Sequence, residues 1–270
     1  MFETAIAIPQ GQLKNYLDTI EIFPQITAVA CDASIYEDEA TTAEMSSRQL
    51  HCPMVMNLLP EDAVTAFQTA ESIHSVNLMI KNIKTVMNTA ASQNGTRFFT
   101  VPIRLDRISN DDWNDQLELL VSYMTRILID AMPYEFSCLI PVRFPKAFPT
   151  SNELARAKAI CQAVNEQIDI KRGLSNFKAT MGICAIIYPD EKMQNGQRVC
   201  PENFQLDDVR AIMFNYSPAA GETLFDDEQT QWADFLKAAN FDGVVLFNPV
   251  AVSSLEDTCQ DISDWMEMYE

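Results

Sequence analysis

Histidine is almost missing from this chain of 270 residues, which carries two, and glycine is scarce at seven. Two histidines leave little from which to build a Ser-His-Asp or Cys-His nucleophile. His51 precedes an apolar run and His74 opens a helical one, so both read as structural or surface groups. Few glycines, and no GxGxxG after the first apolar run, argue against a phosphate-cradling loop or a dinucleotide-binding sheet. Basic residues are half as frequent as acidic ones, 19 against 38, for a net charge of -19. That sign excludes non-specific nucleic-acid binding and attraction to anionic membranes. No apolar run approaches the roughly 20 residues that span a bilayer. The opening Met1-Phe2-Glu3-Thr4 lacks the basic-then-apolar pattern of a secretory leader. The seven cysteines are scattered, with no CxxC and no metal-type spacing, and an odd count of such thiols fits a reducing compartment. The expectation is a cytoplasmic protein.

What the chain has in quantity is alternation. Its residues are 47% hydrophobic, enough to bury a large core. Short apolar runs at 4–8, 26–31, 51–59, 98–105, 136–144, 178–188, 209–216 and 243–247 read as strands. Between them lie helical patterns at 10–22, 38–50, 70–93, 111–132, 152–168 and 226–240. In the last of these Trp232, Phe235, Leu236 and Ala239 share one face, and Asp226, Asp227 and Glu228 mark its electropositive start. An acidic amphipathic helix over about 255–270 closes the chain, and 189–206 reads as a long polar loop. The 13 methionines fall at core-like spacing and read as packing. No Gly-, Ser- or Pro-rich linker divides the chain, so a single domain over 1–270 is expected. A strand, helix and strand in succession form a right-handed βαβ unit. Eight strands alternating with helices in this length predict a (β/α)8 TIM barrel.

Barrel chemistry is built where strands end, and that rule selects the candidates. Pro102-Ile103-Arg104-Leu105 and Pro141-Val142-Arg143-Phe144 echo one another in the fourth and fifth runs. Arg104 and Arg143 are thereby expected at neighbouring strand ends. They either grip a carboxylate or phosphate or neutralise Asp106, Asp32 or Asp190. The two prolines predict a bulge or the last turn of each strand. Asp32, Asp106 and Asp190 all follow strand ends, as an acid pair for proton transfer or as helix caps. Asn57, Asn215, Tyr216 and Asn248 are placed to hydrogen-bond a polyol, or to serve as turn residues.

The order of elements resembles the xylose-isomerase-like TIM barrels, a group of sugar isomerases and sugar-phosphate epimerases. The likeness is most specific at the carboxyl end. There Gly221-Glu222 follows the seventh strand, a helix containing Trp232-Ala233-Asp234-Phe235-Leu236 comes next, and Asn240-Phe241-Asp242-Gly243 leads into the eighth. The resemblance implies one divalent metal, held by a Glu ending strand five, an Asp or His near strand six, a His on strand seven and a Glu ending strand eight. This chain departs from that pattern. It has Val142-Arg143 on strand five, Phe214-Asn215-Tyr216 on strand seven, and Asn248 five residues after Gly243; Asp190 is the surviving acid. The expectation is therefore a sugar isomerase- or epimerase-like barrel that binds a small polar or anionic carbohydrate without a metal or other cofactor. Asp32, Asp106 and Asp190 are its candidate acids, and Arg104, Arg143, Asn215 and Asn248 its ligand contacts. A divalent metal enters only if the ligand alignment is wrong. The alternatives are a non-catalytic binding or assembly barrel and an acid-pair hydrolase using Asp106 and Asp190. Homo-oligomerisation is left open.

Overall fold

The computed structural model describes residues 2–9, 11–37, 39–59, 73–130, 136–144, 151–172, 179–188, 204–216, 227–249 and 255–269. Eight strands run in chain order around a closed barrel: β1 Glu3–Ile8, β2 Val29–Asp32, β3 Met54–Met56, β4 Phe98–Thr100, β5 Ser137–Phe144, β6 Thr180–Ile187, β7 Val209–Tyr216 and β8 Val244–Pro249. Every pairing is parallel, and β8 returns to β1 with Val244 opposite Glu3 and Phe247 opposite Ile6. Among the described residues seven α-helices accompany them: α1 Leu13–Ile20, α2 Glu39–Ser47, α3 Ile73–Asn94, α4 Trp113–Asp130, α5 Ser151–Arg172, α6 Asp227–Ala238 and α7 Leu255–Tyr269. No described helix is long and apolar enough to cross a membrane.

The strands read as continuous apolar runs because both of their faces are covered. The inner face forms a small core of its own. Ala5, Ala28, Ala30 and Ala211 leave room there for Met54, Phe98, Leu139, Met213 and Leu246. The outer face packs on the helices: Ile6, Val29, Val55, Phe99, Ile140, Ile212 and Val245 meet Leu17, Ile80, Leu120, Met124, Val164 and Leu236. Burial of each such side chain contributes about 1.5–3 kcal/mol before entropy is set against it. Aromatic rings link chain start to chain end, with Trp265 of α7 centred 5.0 Å from Phe247 and 5.5 Å from Phe2.

Two helix ends follow from sequence directly. Gly95, at φ +67°, stops α3 in the left-handed region. Asn240, at φ +52°, does the same beyond α6, where the Phe241 N–H returns to the Leu236 carbonyl. Gly243 serves a different need. A Cβ there would lie 2.1 Å from the Arg210 carbonyl oxygen, so only glycine lets β7 and β8 approach this closely.

Three strands are shorter than their apolar runs predict. β2 begins at Val29; before it, Ala28 makes only an isolated bridge to His51. β3 starts after Pro53, whose carbonyl accepts the Arg97 and Phe98 N–H groups, and stops before Asn57, which turns to φ +53°. β4 ends at Thr100; Pro102 follows, and a 3₁₀ turn, Leu105–Arg107, replaces the predicted strand end. The two Pro-x-Arg segments are therefore not equivalent. The first lies beyond its strand and the second inside β5.

Pro141 is tolerated there for a geometric reason. Ser137 donates to the Arg97 carbonyl and Leu139 accepts from the Val101 N–H, so odd-numbered residues of β5 turn their backbone groups toward β4. The β4 ladder ends at Thr100 opposite Leu139. Pro141, next in that series, lacks a donor on a side where the neighbouring strand has already left. The predicted bulge lies elsewhere, where the β6–β7 register shifts between Ile183 and Cys184. Beside it the Asn165 side chain of α5 grips Met181, accepting its N–H at 2.8 Å and donating to its carbonyl at 3.0 Å.

The amino-terminal end of the barrel is closed by charge. Glu3 bonds His51 through one carboxylate oxygen and Arg97 through the other, at 3.0 Å. The second ring nitrogen of His51 faces the Thr27 carbonyl oxygen at 3.0 Å. Two acceptors around one imidazole favour its doubly protonated form. Its pKa is accordingly raised, by the hydrogen bond to Glu3 above all and against the effect of burial.

Candidate functional site

Alternation along each strand decides which side chains enter the barrel mouth. Ala30, Met54, Phe98, Leu139, Met213 and Leu246 face inward. Two residues further on, toward the carboxyl end, stand Asp32, Met56, Thr100, Pro141, Asn215 and Asn248. All six line one cavity of about 530 Å³, together with Ile186, Tyr188 and Asn57.

Its polar groups come in pairs. Asn215 and Asn248 share a rung of the β7–β8 ladder, and the Asn248 amide donates to the Asn215 side-chain oxygen at 2.7 Å. Asp32 receives the Asn57 side-chain amide at 2.9 Å on one oxygen and the Ser34 N–H at 3.0 Å on the other. The second contact makes Asp32 the cap of the 3₁₀ helix Ala33–Glu37. Asn57 in turn donates its backbone N–H to the Thr100 hydroxyl at 2.8 Å. The left-handed backbone of Asn57 lets its main chain and side chain bridge β2 and β4 at once.

A second cavity, about 410 Å³, adjoins the first along Pro141 and Ile186. It is a groove between β5 and the segment leaving β4, lined by Arg104, Asp106, Arg143 and Glu153. Arg104 chelates Asp106 through Nε at 3.0 Å and Nη2 at 2.9 Å, and this holds the Asp106 carboxyl below its usual range. Arg143 is exposed and makes no hydrogen bond or ion pair with any described residue; its guanidinium carbon sits 6.0 Å from the centre of the Tyr188 ring. Glu153, in the first turn of α5, has its carboxyl pushed upward by burial and then by the charge of Asp106, against the opposing pull of Arg143, Arg104 and Arg156. One turn along, Arg156 clamps the groove's outer wall. It donates to the carbonyls of Leu105 at 2.9 Å and Ile108 at 2.7 Å, and its guanidinium lies 4.9 Å from the Trp113 ring centre.

The predicted residues thus divide. Asp32, Asn215 and Asn248 meet in the mouth, and Arg104, Asp106 and Arg143 meet in the groove, while Asp190 lies outside the described residues. Of the two roles open to the arginines, Arg104 takes the neutralising one, and Arg143 has no carboxylate partner among the described residues. Glu153, Tyr188 and Thr100 were not singled out. Glu153 and Arg156 stand three apart at the start of a helix that follows a strand, which is the one signal that points to the groove.

At three of the positions where the resemblance places metal ligands stand a guanidinium and two carboxamides, Arg143, Asn215 and Asn248. A guanidinium carries no lone pair to donate and repels a cation, and a carboxamide oxygen is neutral. Among the described residues no three His, Cys, Asp or Glu side chains come together as a metal site. Among the described residues, the groups at these three positions do not fit a divalent ion.

No protein-family model matches the sequence, and no curated protein matches it. Solved structures match over the whole barrel. A 3-keto-D-glucoside 4-epimerase from E. coli superposes with a TM-score of 0.60 at 13% identity, covering 99% of this chain and 100% of that one. An AP endonuclease of family 2 from Brucella melitensis gives 0.61 at 10% identity, covering 100% and 99%. The IolI protein with a bound zinc atom gives 0.59 at 11% identity, covering 100% and 99%. At such identities the likeness is one of fold: the closed, parallel eight-stranded barrel is the architecture expected from the sequence.

Proposed function

We propose that the barrel mouth binds a small polar or anionic carbohydrate, and that it does so without a divalent metal. The observation that carries this reading is the pairing of two joined cavities, one ringed by carboxamide, hydroxyl and carboxylate groups and the other by arginines. Vicinal sugar hydroxyls each offer a donor and an acceptor, which the Asn215–Asn248 pair and the Asp32–Asn57 pair can meet with their remaining lone pairs and N–H groups. The ring of Tyr188 gives the apolar face of a sugar a surface to lie on. Arg143 supplies a planar fork for an anionic substituent. The sugar epimerases of the same fold lend the reading its substrate class.

In this reading Asp32 in the mouth and Asp106 in the groove are the acids placed for proton transfer; Asp190, the third candidate, lies outside the described residues. Their present engagements favour a second reading, a binding module without turnover. Asp106 is chelated by Arg104, and Asp32 is held by Ser34 and Asn57. The two readings separate by proton NMR in deuterium oxide with a panel of aldoses and ketoses. Epimerase- or isomerase-like action exchanges a carbon-bound proton for solvent deuterium, and Asp32→Asn abolishes it. Saturation-transfer signals without exchange identify the binding module. Neither signal from any sugar overturns both.

A further inference from the structure

The side groove holds two charged groups that form no ion pair among the described residues. Arg104 and Asp106 cancel one another through two hydrogen bonds. That leaves Arg143, without a carboxylate partner among the described residues, and Glu153, which makes no ion pair with a described residue either. Both line the same cavity of about 410 Å³. The charged groups facing Glu153 are Asp106 and Arg104 from the segment after β4, Arg143 from β5 and Arg156 from its own helix. Arg156 is already committed to the Leu105 and Ile108 carbonyls.

We propose that this groove is a carboxylate subsite for a sugar acid: Arg143 pairs with the ligand carboxylate, protonated Glu153 donates a hydrogen bond to it, and binding takes up a proton wherever Glu153 is ionised in the free protein. The proposal rests on the mouth being the polyol site. With Glu153 neutral, Arg143 is the one uncancelled charge among the residues that line the groove, and a monoanion neutralises it. A phosphate dianion would leave excess negative charge beside Asp106. An ionised Glu153 would repel either anion, whereas a protonated carboxyl facing a carboxylate makes a short charge-assisted bond. The upward displacement of Glu153 by burial and by Asp106 acts in the same direction, because it keeps the proton on at higher pH. The joined cavities set the ligand's shape, with a hydroxyl chain in the mouth and a carboxylate past Pro141.

The test is calorimetric titration of D-gluconate, D-glucitol and glucose 6-phosphate between pH 5 and 8, in buffer pairs of differing ionisation enthalpy. Gluconate is expected to bind more tightly than glucitol and, above the pKa of Glu153 in the free protein, to take up as much as one proton. Its affinity should fall by about tenfold per pH unit above the Glu153 pKa. Glu153→Gln should flatten that profile, and Arg143→Leu should weaken gluconate by about tenfold or more with folding checked by circular dichroism. If glucitol binds and gluconate binds no better, or binds without proton uptake at every pH from 5 to 8, the subsite is refuted and the mouth reading stands. Tighter binding of glucose 6-phosphate than of gluconate overturns the choice of carboxylate. If none of the three binds, the mouth reading falls with it.

Discussion

Replacing Gly243 by alanine tests the fold and the site together. The added Cβ would lie 2.1 Å from the Arg210 carbonyl oxygen and 2.3 Å from the Phe241 ring, where ordinary contact begins at 3.4 Å. The ring can swing away, but the carbonyl belongs to the backbone of β7. Relief therefore requires β7 and β8 to separate at the foot of a six-rung ladder that runs from Ala211–Val244 to Tyr216–Pro249. Overpacking against backbone in a core costs about 3 kcal/mol, the upper end of its usual range. Near the top of that ladder is the Asn215–Asn248 bond, so a shift at its foot also disturbs the mouth. Gly95→Ala is the control, for it meets nothing within 4 Å and suffers only its left-handed backbone, at about 1 kcal/mol. Urea unfolding followed by far-UV circular dichroism measures both. A loss below about 1 kcal/mol for Gly243→Ala, or one no larger than for Gly95→Ala, would refute the close approach of the two strands.

Three other expectations can be checked on the same preparation. His51 is raised above its ordinary 6.5, and Glu3, though burial pushes it up, is held below its ordinary 4.5 by His51 and Arg97. Their joint stabilisation is therefore greatest between pH 4.5 and 6.5. The histidine part disappears as pH rises through its folded value, and the glutamate part as pH falls through its own. His51→Asn should flatten the alkaline limb of a plot of urea midpoint against pH, and an unchanged limb would contradict the pairing. Arg156→Met should cost about 2–3 kcal/mol by orphaning two carbonyls, and should raise hydrogen exchange over 105–112 before it affects the mouth. Mn²⁺, Mg²⁺, Co²⁺ and Zn²⁺ should give no thermal stabilisation that a chelator reverses; a stoichiometric metal in the purified protein would restore the metal-dependent reading.

The barrel was legible in the sequence because its evidence is repetitive: eight apolar runs alternate with helical periods, and an error at one boundary leaves the count intact. The site was legible only in part. Asn215 and Asn248 were both singled out, but that they share a rung depends on the β7–β8 register, which no local pattern in either strand reveals. Strand parity was hidden as well, since with both faces buried Leu139 and Ile140 look alike in sequence while pointing to opposite sides. The run 98–105 misled because Val101, Ile103 and Leu105 remain buried after the strand has ended. Burial is what an apolar residue records, and ladder pairing is a separate matter. Glu153 escaped notice because its role comes from the groove around it, which exists only once β4 has parted from β5.

That parting has an architectural consequence. The ladder between the two strands stops at Thr100–Leu139, yet β5 continues five residues to Phe144, roughly 16 Å at the usual strand rise. An eight-fold ring is thereby given a notch among the described residues, and the notch breaks its rotational equivalence. Ligands short enough to sit within the ring would not sense it, whereas longer ones must thread it in a single orientation. Where a single strand pairing stops would then decide the direction from which a long ligand enters the barrel.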